Sequence, residues 1–327
     1  MDWNTILSQT ITQAVGVLAV IYCLAAVGLN VHFGYTGLLN FGQSGFLAVA
    51  AYGLAVTVAN LGLSFWLGLV VGIIAAILLA LLLGVPTLRL RADYLAIVTI
   101  AAAEIIRLLV RSVTFRDWFG GSDGITRFAD SFYALNPFSG PLVFGPLRFS
   151  QNDLWVVTVG WGLVALTSFL VWSLMRSPWG RVLRGIREDE DAVRSLGKNV
   201  YAYKMQSLIL GGVIGALGGF ITAIGFQSVQ PDTFSTDFTF FAYTILILGG
   251  AARIFGPIVG TMIFWALLVF VGEFLSEGVS SGVITFITST QVGQIRFMLV
   301  GLGLMMLMIF RPQGIFGDRK ELALDAR

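Results

Sequence analysis

The chain has 327 residues, of which 57% are apolar and 12% charged, about half the charged share of an ordinary soluble domain. The formal net charge is +2 and the basic residues fall in short clusters between apolar runs, which excludes a water-soluble globule, a disordered chain and a nucleic-acid module. One cysteine, Cys23, and one histidine, His32, leave no intrachain disulfide and no Cys/His metal site to build.

Apolar runs are expected to form spans at about 10–29, 41–60, 62–84, 94–110, 153–175, 205–226, 239–252, 256–275 and 295–310, each near the roughly 20 residues a bilayer crossing needs. No Lys or Arg precedes the first run, so it is expected to be a retained span rather than a cleaved signal. The predicted fold is therefore all-α: a polytopic membrane helix bundle of about nine spans, between eight and ten. Trp3, Trp66, Tyr94, Trp155, Trp179, Tyr201 and Tyr203 lie near span ends, where amphipathic rings prefer the headgroup layer. The runs 41–60 and 239–252 are short or interrupted by glycine and are expected to be broken or re-entrant, as lipid tolerates only where protein or water surrounds the freed backbone.

An outside N-terminus places 30–40, 85–93, 176–204 and the Arg253 turn inside with the C-terminal tail. These segments hold fourteen of the twenty Lys and Arg, the outside segments five, and Arg107 lies within a span, which satisfies the positive-inside rule. The polar pieces 111–152 and 176–204 are too short to fold alone, so the expectation is one transmembrane unit over 1–327 with an inner loop at 176–204. Glycine is frequent, 39 residues, and recurs at spacing four, as in Gly211, Gly215 and Gly219, which suits close helix approach in lipid.

The inner loop reads SPWGRVLRGIREDEDAVRSLGKNVYAYK from Ser177 to Lys204. Ser177 before Pro178 predicts an N-cap and a helix start, with Val182, Leu183 and Ile186 as an apolar strip. The run Glu188, Asp189, Glu190, Asp191 favours the start of a second short helix, on which Ala192, Val193 and Leu196 recur before Gly197, placed for a left-handed cap. Such an apolar strip serves a helix lying on headgroups, held by Arg181, Arg184 and Arg187, or one inserting into a partner. The acidic run favours a protein partner, since anionic lipid repels it.

Gly180–Lys204 resembles the cytoplasmic coupling loop of the permease subunits of branched-chain amino acid ABC importers, through Arg181, Arg184, Arg187, Glu188, Glu190, Ala192, Gly197, Asn199, Tyr203 and Lys204. The glycine-rich stretch Gly28–Tyr52 with Gly42, Gln43 and Ser44, the segments Leu88–Arg107 and Gly120–Ile125, and Ile247–Trp265 are similar to further family segments, in the family's order over about residues 16–317. Ala251 and Thr261 depart from it, standing where glycine and alanine are common. The likeness is to the M-type (LivM-like) permease rather than the H-type.

The resemblance implies one half of a channel in a bacterial inner membrane, paired with a second homologous permease, two cytoplasmic ABC ATPases and an extracytoplasmic substrate-binding protein, with membrane lipid around it and no nucleic acid or cofactor. Leucine, isoleucine or valine is the implied cargo; relatives carrying urea, short amides or other amino acids share the pattern. The sequence contains no G-x-x-x-x-G-K-[ST] phosphate loop, so no ATPase or other catalytic site of its own is expected. Work is then expected to arrive through Arg184, Arg187, Glu188, Asp189, Glu190, Ala192, Val193, Leu196 and Gly197.

For the substrate path, Asn40, Gln43 and Ser44 sit on the broken segment, where a half-helix N-terminus suits a carboxylate; satisfying freed backbone is the plainer role. Thr99 and Glu104 lie on the fourth span, with Arg107 one turn beyond Glu104, a spacing that also suits a structural ion pair. Asp123, in the outside turn 120–124, is placed either to meet the binding protein or simply to make a turn. His32 reads as an ordinary loop residue. Two other classes stay open: an ion-coupled secondary transporter using Glu104 or Glu273, and a passive channel or structural membrane subunit. Both leave the inner loop without a task.

Overall fold

The structure, a computed structural model, describes residues 3–89, 92–284, 287–311 and 313–317; of the basic residues counted above, Arg91, Arg319, Lys320 and Arg327 lie outside them. Helix α1 (Trp3–Ala14) bends at Val15–Gly16 into α2 (Val17–Leu29), which continues as a wide π-helical segment, Asn30–Tyr35. The chain then runs without regular structure to α3 (Gln43–Ala55), itself extended by a π-helical turn, Val56–Asn60. Next come α4 (Phe65–Thr87) and α5 (Ala92–Arg111). Ser64 caps α4 by accepting from the Leu67 amide at 3.3 Å, and Pro86 falls in its last turn, near the stop.

The segment between α5 and the next long helix carries two single-turn helices, α6 (Arg116–Phe119) and α7 (Asp130–Tyr133), and strands β1 (Ile125–Thr126), β2 (Leu142–Phe144) and β3 (Leu147–Phe149). The strands β2 and β3 form an antiparallel hairpin, while β1 pairs with β4 (Ser228–Val229). The long α8 (Gln151–Arg176) is followed by α9 (Pro178–Glu188) and α10 (Glu190–Ser195). Helices α11 (Val200–Phe226), α12 (Thr236–Gly249), α13 (Phe255–Ser280) and α14 (Val292–Phe310) complete the bundle.

Each of the nine predicted spans coincides with a helix. Among the described residues, five helical runs, Trp3–Tyr35, α4, α8, α11 and α13, are long and apolar enough to cross a membrane. Of the two runs expected to be interrupted, α12 is short, 14 residues or about 20 Å of helix at 1.5 Å per residue, against a hydrocarbon layer of about 30 Å, whereas α3 with its π-helical turn runs without a break from Gln43 to Asn60. Helix α11 forms the centre, lying against α2, α3 and α4. Its glycines set the spacing: a Cβ on Gly219 would sit 2.2 Å from the Leu47 carbonyl oxygen of α3.

One inner segment differs from its reading. Residues 30–40 were expected as an inner loop, yet Asn30, His32, Thr36 and Asn40 are at most 2% exposed. The stretch carries no charge, and α11, α12 and the 252–253 turn supply its polar partners, so nothing draws it into water.

Candidate functional site

Two features stand out, the α9–α10 corner and the break between α2 and α3. At the corner, Ser177 has extended backbone as an N-cap should, but its hydroxyl donates back to the Leu174 carbonyl at 2.6 Å rather than capping α9. The predicted strip on α9 turns out to be covered by the protein itself: Leu183 is fully buried and Ile186 nearly so, against α8, α11 and the π-helical segment. Val182, the third residue of the strip, is half-buried. Two arginines from its polar side clamp the helix. Arg184 donates to the Met175 carbonyl at the end of α8 (2.6 Å), and Arg187 donates to the Gly34 carbonyl of the π-helical segment (2.7 Å).

Asp189 starts α10 as the acidic run implied, its carboxylate accepting from the Asp191 and Ala192 amides at 3.0 and 2.9 Å. Glu190 pairs with Arg194 at 2.8 Å and with Lys204, which ties α10 to α11. Gly197 has φ +76°, the left-handed conformation expected of it. The three apolar residues of α10 part company, however. Val193 is buried, approaching Gly185, whereas Ala192 and Leu196 are exposed, Leu196 by 79%. Leu196 is the C-cap just past the six residues of α10; Val193 faces the protein, while Ala192 and Leu196 face out. Glu188 is exposed beside them.

At the break, a closed hydrogen-bond network joins α2, α3 and α11. His32 lies 3.1 Å by Nε2 from the Leu208 carbonyl and 3.1 Å by Nδ1 from Asn40 Nδ2. The carbonyl requires a donor, so Nε2 carries the proton and Nδ1 accepts. Asn40 Nδ2 also donates to Gln43 Oε1 (3.0 Å), and Asn40 Oδ1 accepts from the Gly42 amide (2.9 Å). Gln43 Nε2 reaches the Ala25 and Gly211 carbonyls. Around this core, Thr99 Oγ1 accepts from the Phe41 amide, Thr239 Oγ1 accepts from the Ser44 amide, and Tyr243 OH bonds both backbone groups of Asn40. Amides at the start of α3 are thus taken up by the protein's own side chains in this conformation. The Ser44 hydroxyl is buried with no protein partner among the described residues.

Asn40→Ala is expected to lower the melting temperature of the detergent-solubilised protein sharply. It leaves the Gly42 amide, Gln43 Oε1 and His32 Nδ1 unpaired, at about 1–3 kcal/mol for each buried orphan. An unchanged melt would show that the network does not hold the break.

Of the path residues read from sequence, Asn40, Gln43, Ser44 and Thr99 come together here. Glu104 does not: it lies nearer the other end of α5, held by Arg107 at 2.6 Å, and Arg107 and Arg111 both reach Asp232. Asp123 pairs with Arg116 at 2.6 Å. The sequence reading missed His32, Asn30, Ser207, Thr239 and Tyr243. Their signal was available, because polar side chains inside apolar runs need buried partners. Asn30 donates to the Arg253 carbonyl (2.9 Å) and accepts from the Ala252 amide (2.8 Å). A strand of contacts therefore runs from α9 through Arg187 and Gly34 to the π-helical segment, and from there to the break.

A bundle of long apolar helices, with a break between α2 and α3 and a clamped pair of short helices at one end, is a multi-pass membrane protein. The chain belongs to the family described as the permease component of branched-chain amino acid transport systems, whose model matches residues 11–310. It is 31% identical to the high-affinity branched-chain amino acid transport system permease protein LivM of Escherichia coli K12, over 93% of this chain and 69% of that one. A probable branched-chain amino acid transport permease protein LivM of Methanocaldococcus jannaschii is 25% identical over 91% of each chain. The nucleoside ABC transporter permease protein NupC of Lactococcus lactis is 28% identical over 57% of this chain and 59% of that one.

Proposed function

We propose that the chain is the membrane-spanning permease subunit of an ABC importer and moves leucine, isoleucine or valine across a bacterial inner membrane by alternating access. It pairs with a second homologous permease, takes its cargo from an extracytoplasmic binding protein and is driven by two cytoplasmic ATPases. Residues 1–327 act as one permease unit, with 176–204 as its coupling loop. The observation that carries this reading is the α9–α10 corner: its inner side is bolted to the bundle by Arg184, Arg187 and Glu190, while Ala192 and Leu196 stand exposed beside Glu188, Asp189 and the Gly197 turn. A helix pair held this way transmits a push from a docked ATPase to the π-helical segment and the break. The substrate path is assigned to the surroundings of that break, with Asn40, Gln43, Ser44 and Thr99 beside it and Glu104 toward the outer end of α5. Rearranging the network there opens the path, consistent with half-helix sites in other transporters.

Co-reconstitution with the partner permease, ATPases and binding protein in vesicles tests the proposal. Labelled leucine is expected to accumulate only when ATP and binding protein are both supplied. Uptake that persists without ATP under a proton gradient would instead assign the chain to ion-coupled transport. Unlabelled urea or a nucleoside competing as well as isoleucine would change the cargo.

A further inference from the structure

Where α8 ends and α9 begins, Trp172, Arg176, Arg184, Arg187, Glu188 and Arg253 line a cavity of about 540 Å³, within the ~300–1,000 Å³ range of small-ligand sites. Among the described residues, four guanidinium groups line it against one carboxylate, an arrangement whose mutual repulsion an anion relieves. Arg184 and Arg187 each commit one terminal nitrogen to a backbone carbonyl, and a guanidinium has five N–H donors, so both retain donors for a ligand. Arg176 stacks over the Trp172 ring at 4.3 Å, which orients its planar fork at the rim.

The same rim continues into an apolar track. Trp172 stacks on Phe169 with ring centroids 5.6 Å apart. Phe169, Leu166 and Leu170 are exposed by 64%, 63% and 43%, and they follow one face of α8 at helical spacing. Tryptophan favours the boundary between headgroups and hydrocarbon, and arginine clusters between spans at the inner side suit anionic headgroups. A phosphate in the arginine cavity with acyl chains along α8 satisfies both halves of this surface.

We infer that this cavity is a binding site for the headgroup of an anionic phospholipid, held by Arg176, Arg184, Arg187 and Arg253. The lipid staples α9 to the end of α8 and so sets how firmly the coupling corner is seated. The inference needs only that the bundle spans a membrane, and its test is separate from any assay of transport.

The full chain in detergent is titrated with phosphatidylglycerol, with phosphatidylcholine of the same acyl chains, and with inorganic phosphate, and bound species are read by native mass spectrometry. Phosphatidylglycerol is expected to bind about tenfold or more tightly than phosphatidylcholine. The pair Arg176→Gln and Arg253→Gln is expected to lose about tenfold or more for phosphatidylglycerol, the scale of removing two cations facing an anionic headgroup, while Arg176→Lys with Arg253→Lys retains most of it. Equal binding of the two lipids by the unmutated chain overturns the inference without recourse to any variant. So does inorganic phosphate binding as tightly as phosphatidylglycerol, which makes the site one for a free anion. A glutamine pair that keeps its lipid but no longer retains the partner ATPases also overturns it, in favour of an acidic protein segment.

Discussion

Leu196→Asp is expected to strip the partner ATPases from the purified permease while leaving its yield and melting temperature unchanged. The side chain is 79% exposed, so the chain's own packing loses little. On the proposed docking the same position becomes buried, and replacing leucine then forfeits about 1.5–3 kcal/mol of apolar burial and adds the desolvation of a carboxylate. At 1.4 kcal/mol per decade, affinity falls by about a hundredfold or more. Val193→Asp is the instructive contrast: Val193 is 9% exposed, and a charge there is expected to unseat α10 and lower the melting temperature. Affinity capture of tagged permease, with the ATPases read by immunoblot, separates the two. Full ATPase recovery by Leu196→Asp would remove Leu196 from the dock.

Gly219→Leu is expected to abolish recovery of folded protein. A Cβ at this position lies 2.2 Å from the Leu47 carbonyl oxygen and 2.8 Å from the Leu47 Cα, both backbone atoms of α3 that no rotamer change moves aside. Overpacking in a well-packed interior typically costs about 1–3 kcal/mol and more when the obstacle is rigid, and here it acts where the central helix meets α3. Gly303→Leu on α14 has nothing within 4 Å of the added Cβ and is expected to behave like the unmutated protein. Fluorescence-detected size exclusion followed by a thermal series checks both. A normal, monodisperse Gly219→Leu peak would mean that close approach of α3 and α11 is dispensable.

The spacing-four run marks Gly219 and not Gly303 for close approach, but it does not say which backbone lies against it, and the same difficulty explains which parts of the molecule were legible in advance. Span positions were readable because roughly 20 consecutive apolar residues have few other fates, and the Asp189 cap and the left-handed Gly197 were readable because their chemistry is local. Periodicity on α9 marked Leu183 and Ile186 as one apolar face, yet it could not say what covers that face, and the cover is the protein's own bundle. His32 read as a loop residue because one of its partners, Leu208, lies 176 residues away, and the other, Asn40, meets it only once the segment folds back on itself. The Glu104–Arg107 pair was legible as a one-turn spacing; its extension to Asp232, 125 residues beyond Arg107, was not.

The sequence alone determined that this chain lives in a membrane as a helical bundle, about where its apolar spans fall, and that its inner loop forms two short helices, because length, apolarity and capping act within a turn or two of chain. Tertiary structure alone decided that Leu196 rather than Val193 faces outward, that four arginines meet in one cavity, and that the break between α2 and α3 is sealed by a buried polar network. Those outcomes depend on which distant backbone and side-chain groups are brought within about 3 Å of one another to satisfy polar atoms shut away from water.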